Sequence, residues 1–320
     1  MSNSYLSLLP PLVAIIIAIW RRNALLALFC GVFLCHIMVD NWAVFSGAQS
    51  TLYGITDVFS STGNNYIVTF SLLIGALVML MNKSGAVSGF IAHLAQLNLV
   101  KNKRQASMLP TIIGTSIFTD TNLSMFTAGM ASQKLFDKHK LGRARLAYLL
   151  DSTCAPISIL VLINGWGAYV LGLLDGYQFS EPVGILIGTL SYNVYAIIAV
   201  ALAYYTAYSG KVFGPMKYAE SMLTPATQQS VEKIAPAKVM WLPLISLLTI
   251  TLSLLWITGN GDIRSGSGAF SVFWSIVSSL IILVLMIVFY KLLSFKEITI
   301  GSITGIKHMA PAVGILVLSF

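Results

Sequence analysis

Charge is what this 320-residue sequence has least of: Asp, Glu, Lys and Arg make up 9% of it, hydrophobic residues 57%, and its mean hydropathy is +0.83. A soluble domain carries roughly 25% charged residues, so the composition excludes one and indicates a polytopic membrane protein. Acids are scarcer still, 11 against 19 basic residues, for a net charge of +8. The basic residues sit in short connections between apolar runs, where membrane orientation rather than nucleic acid accounts for them. Cysteine is nearly absent. Cys30, Cys35 and Cys154 are odd in number, lie in apolar segments and have no His grouping, which argues against a disulfide framework or zinc site. Neither His-Glu-x-x-His nor Gly-x-Ser-x-Gly occurs, so no hydrolase machinery is visible, and neither enzyme activity nor a cofactor is expected. A basic stretch ahead of the first apolar run is also missing; that run reads as a retained signal-anchor helix.

What is present is a series of apolar runs. Residues 6–20 and 23–39 are joined by Arg21-Arg22, which the positive-inside rule places in the cytoplasm, leaving the N-terminus outside. Residues 40–65 read as an amphipathic external piece. Residues 66–81 cross inward and end on Lys83-Ser-Gly85, a cation and a glycine cap. Residues 87–99 are too short to span and read as an interfacial helix before Lys101-Asn-Lys-Arg104. A second basic block follows at 134–145. Two full spans need about 40 residues, more than the intervening 105–133 provides, and a single span would put one basic block outside. A re-entrant hairpin over 105–133 removes the conflict. Its tip near 119–122 should line protein or water, the only settings in which non-helical backbone is tolerated at membrane depth.

Residues 146–174 then cross outward, 182–208 return, and 211–238 form a polar cytoplasmic linker. Residues 239–258 and 270–290 make a second pair of crossings. Trp241-Leu-Pro-Leu244 echoes Leu8-Leu-Pro-Pro-Leu12 in a helix of opposite direction, the pattern of an inverted repeat. The fold class expected is an all-α polytopic membrane protein, an inverted-repeat secondary transporter with a re-entrant hairpin and discontinuous helices. The first repeat covers 1–210, the linker 211–238 and the second repeat 239–320. That second copy stops at Phe320 inside an apolar run, so the chain reads as a truncated product.

The chemistry concentrates between Ser107 and Trp166. An aspartate at the centre of a bilayer helix costs roughly 2.5–3.5 kcal/mol on insertion scales, so Asp120 and Asp151 need a reason to be there. Asp120 has Thr119, Thr121, Asn122 and Ser124 as neutral oxygens close by in sequence. In Asp151-Ser-Thr-Cys-Ala-Pro156 the proline lacks an N–H, which frees the Ser152 carbonyl next to Asp151 and Thr153. Pro156, Gly114 and Gly129 are expected to break helices. If the two pieces meet, they form an oxygen site for a small hard cation such as Na+, with Asp120 and Asp151 taking cation or proton in competition. The plainer reading makes Asp151 a helix cap and leaves Asp120 solvated. His36 and His93 read as packing or solvated residues, Asn164 and Trp166 as interhelical hydrogen-bonding and interface residues, with a place beside the pathway as their alternative, and Arg143 and Arg145 as cytoplasmic anchors.

Three runs, Ile117-Phe-Thr-Asp-Thr-Asn-Leu-Ser-Met-Phe-Thr-Ala-Gly129, Arg143-Ala-Arg-Leu-Ala-Tyr148 and Asp151-Ser-Thr-Cys-Ala-Pro156, with Trp166 beyond, resemble the NhaC-type sodium/proton antiporter family of the ion transporter superfamily. The resemblance implies a bacterial inner-membrane transporter with two inverted repeats and paired re-entrant hairpins. Asp120 stands at the first acid of a motif that typically reads Asp-Asp-Tyr, where this chain has Thr121 and Asn122 next. Ser124 replaces the usual Asn, and 151–156 keep the Asp-Ser-Thr-x-Ala-Pro pattern. Some members of the superfamily move amino acids or organic acids, and neutral Thr121 and Asn122 suit such a solute. Expected partners are therefore the bilayer and either Na+ and H+ or a small solute, with a homodimer as a candidate assembly and no nucleic acid.

The hairpin expectation has a direct test. Cysteines placed at Gln105 and at Gln133 should both be labelled by an impermeant thiol reagent from the cytoplasmic face; labelling of one from outside would give a crossing instead.

Overall fold

A computed structural model describes residues 5–96, 100–176, 179, 181–220 and 234–319, and every regular element among them is a helix. In chain order these are α1 (Leu9–Arg21), α2 (Ala24–Val39), α3 (Val44–Asp57), α4 (Thr62–Lys83), α5 (Ala86–Gln96), α6 (Lys103–Ser116), α7 (Thr121–Lys138) and α8 (Arg143–Leu160). They continue with α9 (Gly165–Gly176), α10 (Pro182–Thr189), α11 (Val194–Ser209), α12 (Met216–Ala219), α13 (Lys238–Thr258), α14 (Gly268–Phe289) and α15 (Phe295–Ser319). The all-α expectation holds. Four helices, α4, α13, α14 and α15, are long and apolar enough to cross a membrane, and a fifth span results if α10 and α11 count as one.

The expected crossings differ in detail. Residues 182–208 correspond to α10, which continues through a short 3-10 turn at Leu190–Tyr192, and α11, and the two limbs meet at a 55° bend at Asn193. The helices α1 and α2 have 13 and 16 residues. At about 1.5 Å per residue both fall short of the roughly 30 Å hydrocarbon layer. They pack on each other as an antiparallel pair turning at Arg22, whose φ is +50°. The piece expected to be amphipathic at 40–65 is largely α3, tied back to the end of α2 by Ser46 and Ser50, whose hydroxyls donate to Asp40 at 2.9 and 2.8 Å. Those two bonds, Ser50's first, hold the half-buried Asp40 carboxyl below its usual range. Of the linker, residues 221–233 lie outside the described residues. Its end docks where Ala235 N–H donates to the Gly85 carbonyl, at the turn between α4 and α5.

The helices sort into two packed groups. In the first, α4 lies against α14 and α15, and α13 against α14. In the second, α6, α7, α8 and α11 pack together, and α5 and α9 bridge the two. Aromatic contacts pin the first group: Tyr66 of α4 stacks on Phe273 of α14 at 4.9 Å, and Phe90 of α5 meets Trp241 of α13 edge-on at 5.3 Å. Where lipid removes any hydrophobic gain from helix association, close van der Waals approach has to hold the pairs. The α4–α15 crossing is built that way. Gly75 and Gly305 bring their backbones together, and Gly301, one turn earlier, leaves room for the Leu80 side chain 3.0 Å from where a Cβ would be.

Arg145 departs from its expected place. It is buried rather than a surface anchor, and its guanidinium donates to the Gly210 carbonyl at 3.1 Å and pairs with Glu220 at 3.0 Å. Gly210, at φ +73°, closes α11, and Glu220 follows α12, so this one side chain ties the start of α8 to the end of α11 and to the linker. Arg143 stays at the surface, paired with Asp137 at 2.8 Å across the α7–α8 turn.

The glycine crossing predicts a contrast. Gly305→Val should destabilise the detergent-solubilised protein by about 1–3 kcal/mol through overpacking. Gly188→Ala, with nothing within 4 Å of its Cβ position, should leave the thermal midpoint unchanged or slightly raised. Equal loss in both would mean that the crossing does not hold the group together.

Candidate functional site

Two helix interruptions face each other in the second group. The first lies at 117–120, between α6 and α7. Asn102 starts α6 by accepting the Gln105 N–H at 2.9 Å, and Asp120 starts α7 by accepting the Leu123 N–H at 2.7 Å. Asp120 is thus an N-cap, where a carboxylate meets orphan N–H groups and the positive helix end. Ser124, fully buried, donates its hydroxyl to the Gly114 carbonyl at 2.9 Å and clasps the two arms of the hairpin. Thr119 is 4% exposed, and its hydroxyl has no partner.

The second interruption lies at 161–164, between α8 and α9. It does not fall at Pro156, which sits inside α8 four residues before its end, and Gly114 and Gly129 likewise lie inside α6 and α7. Proline removes one bond, to the Ser152 carbonyl, but the turns on either side persist. Ser158 donates to the Cys154 carbonyl at 3.0 Å and Thr153 to the Leu149 carbonyl at 2.6 Å. What Gly114 provides is proximity: a Cβ there would lie 2.6 Å from Thr153 Oγ1 and 3.0 Å from Cys154 Sγ, so α6 and α8 touch at that point.

Asn164 makes the second interruption possible. Its Nδ2 donates to the carbonyls of Ser158 at 2.6 Å and Val161 at 2.7 Å, covering the end of α8, while its Oδ1 accepts the Gly167 N–H at 3.0 Å and starts α9. The same Nδ2 lies 3.2 Å from the Phe118 carbonyl of the first interruption, so its two protons are shared among three carbonyls. One side chain, 2% exposed, therefore satisfies backbone of both interruptions. Beside it the hydroxyls of Thr121 and Ser158 lie 3.1 Å apart.

The structure thus gathers Thr119, Asp120, Thr121, Ser158 and Asn164 at one place. Asp151 does not join them through this contact. The hairpin tip is level with Ser158, seven residues and so about 10 Å along α8 from Asp151. Asp151 stands on the exposed face of α8, with Ser152 half-buried and Thr153 buried next to it. Asn122 lies in the first turn of α7. Sequence reading gave Asn164 an interhelical hydrogen-bonding role, which its contact with Phe118 matches, and missed Ser158. An Asn directly before Gly165 in an apolar run is a helix-start signal that marks the first; nothing local marks the second. A separate cavity of about 390 Å3 between α5, α6 and α13 has apolar walls that include Phe90, Met108, Ile112 and Trp241, and it reaches Ser116 and Ile117 at the tip.

Among the described residues no three His, Cys, Asp or Glu side chains cluster as a metal site. The donors at the tip are hydroxyl and carbonyl oxygens with one carboxylate, a set suited to a singly charged hard cation or to hydrogen-bonding polar groups. Asn164→Ala should strip both interruptions of their partner and lower stability by about 1–3 kcal/mol, read as a thermal shift in detergent. Asn164→Asp keeps the Gly167 contact but turns a carboxylate oxygen toward the Ser158, Val161 and Phe118 carbonyls in a buried site, and should lower stability at least as far as Ala.

No family model matches the chain, and no solved structure matches it. Among curated proteins, an uncharacterized protein of Haemophilus influenzae is 30% identical to this chain over 342 residues, a match that includes 98% of the chain. The chain spans 66% of that relative's length.

Proposed function

We propose that this protein is a secondary active transporter of the bacterial inner membrane, N-terminus outside, that exchanges Na+ for H+. The apposition of two helix interruptions, joined by Asn164 and carrying the N-cap carboxylate Asp120, is the observation that supports the reading. Discontinuous helices place half-helix ends and freed backbone oxygens where an ion can bind, and tolerate non-helical backbone only where protein or water surrounds it. In this reading the arms of the hairpin, α6 and α7, enter and leave on the side of their basic ends, and the tip stops within the membrane. Asp120 binds the cation together with Thr119, Thr121 and Ser158. Proton and cation compete for its carboxylate, because desolvation favours the protonated form and a bound cation the ionised one. A carboxylate that has to carry one or the other through the membrane produces exchange. Asp151, set back along α8, is the second acid on the route of the ion, and the resemblance to NhaC-type antiporters supports its inclusion.

A second reading has its own observation. The paired hydroxyls of Thr121 and Ser158, with Asp151 about 10 Å away, also suit a polar organic solute moved with H+ or Na+. Everted membrane vesicles carrying the full-length protein separate the two. Addition of Na+ should release protons in the wild type, and Asp120→Asn should abolish the release. Asp151→Asn should reduce it at least tenfold, the equivalent of about 1.4 kcal/mol. Solute accumulation without sodium-dependent proton movement would replace exchange with coupled uptake.

A further inference from the structure

The interior of the hairpin carries more polar atoms than its helices need. Ser107, Thr127 and Ser132 are each at most 1% exposed, and their hydroxyls, like that of Thr119, have no hydrogen-bond partner. A helical Ser or Thr in an apolar setting ordinarily returns its proton to the carbonyl one turn back, as Thr111 does to Ser107 at 3.1 Å. A buried hydroxyl left without a partner costs about 1–3 kcal/mol.

Their positions follow from the hairpin register. The arms run antiparallel, and the Ser124–Gly114 bond fixes their alignment. Thr127 and Thr111 each lie three residues below that bond and so stand at one level; Ser132 and Ser107 lie eight and seven residues below it and stand at another. Around α7, Thr127 lies about 60° to one side of Ser124 and Ser132 about 80° to the other, so both are on the half of the helix that Ser124 turns toward α6. Farther down, just past the end of α7, the Nε2 of His139 is also buried without a partner. The hydroxyls cover about 12 Å of helix between the base of the hairpin and the tip where Asp120 sits.

We infer that these hydroxyls line a narrow file of water through which protons travel between the His139 end of the hairpin and Asp120. Each unpartnered hydroxyl gains a water as donor and acceptor, the arrangement by which buried polar groups without protein partners are satisfied. A proton that enters at the base shifts O–H bonds along the file and arrives on the Asp120 carboxylate; every hydroxyl and water ends with the number of protons it began with. The cation leaving Asp120 balances the charge. What the file carries rests on the exchange reading, but the presence of water does not.

Single cysteines at Thr127 and Ser132, with Cys30, Cys35 and Cys154 replaced by Ala, test it in everted vesicles of the full-length protein. A small cationic methanethiosulfonate should modify both at least about tenfold faster than cysteines at Leu123 and Phe136, equally buried apolar positions of the same helix. Rates at Thr127 and Ser132 no faster than these controls would overturn the inference. Thr127→Val, which keeps the shape and removes the hydroxyl, should slow proton release at least fivefold, and Thr127→Ser should restore it; a Val variant as fast as wild type would reduce the hydroxyl to packing and overturn the path. In the unmutated protein, hydroxyl radicals generated in water should oxidise Cys154, which lies against Gly114 at the top of the file; a fully protected Cys154 would count against it. Fast labelling in a protein that shows no sodium-dependent proton movement would remove the exchange reading and leave the water file standing.

Discussion

A helix can be interrupted inside an apolar protein only if something replaces the hydrogen bonds it gives up, and here Asn164 supplies partners on both sides of one interruption and reaches a carbonyl of a second. The amide suits this role because it offers donors and an acceptor on one short side chain. Its Nδ2 covers carbonyls at the end of α8 and at the hairpin tip, and its Oδ1 opens α9. The contact with the Phe118 carbonyl joins the residues just before α7 to the end of α8, beside the Thr121–Ser158 pair.

The rest of the second helix group holds that point in place. Ser124 closes the hairpin on itself, and Thr121 meets Ser158 across the gap to α8. Gly114 allows α6 to come within reach of Thr153 and Cys154. On the far side, Thr115 and Tyr204 share a hydrogen bond of 2.8 Å that ties α6 to α11, and Arg104 lies over the Tyr208 ring at 4.2 Å. Arg145 then fastens the end of α11 to the start of α8. These contacts are short, polar and specific, whereas the first group relies on glycine crossings and aromatic packing. The difference fits a scaffold of plain spans beside a unit that carries polar chemistry.

Charge placement pointed to a turn back between the basic blocks at 101–104 and 134–145, and α6 and α7 do pack against each other about a non-helical stretch at 117–120, the near edge of the 119–122 expected for the turn. Asp120 stood out for the same reason, as an acid in an apolar run. The location of the second interruption was not legible in that way. Proline is the strongest local helix breaker, yet α8 absorbs Pro156 and yields five residues later, because a single lost bond costs less than moving an end that Asn164 already caps. The separation of Asp151 from Asp120 was hidden too, since the spacing of two acids along a chain carries no information about which turn of one helix meets the tip of another.

Composition and charge pattern by themselves determined that this is an all-helical membrane protein with acids in unusual places. Both follow from the cost of exposing backbone and charge to hydrocarbon, a cost paid residue by residue and therefore written in the sequence. Tertiary structure alone decided that α10 and α11 bend, that Arg145 turns inward, and that Asn164, Ser158 and the hairpin tip share one place. Those outcomes depend on which partners a side chain finds after the helices pack, and hydrogen bonds between residues as far apart as Phe118 and Asn164 leave no periodic signal in either segment.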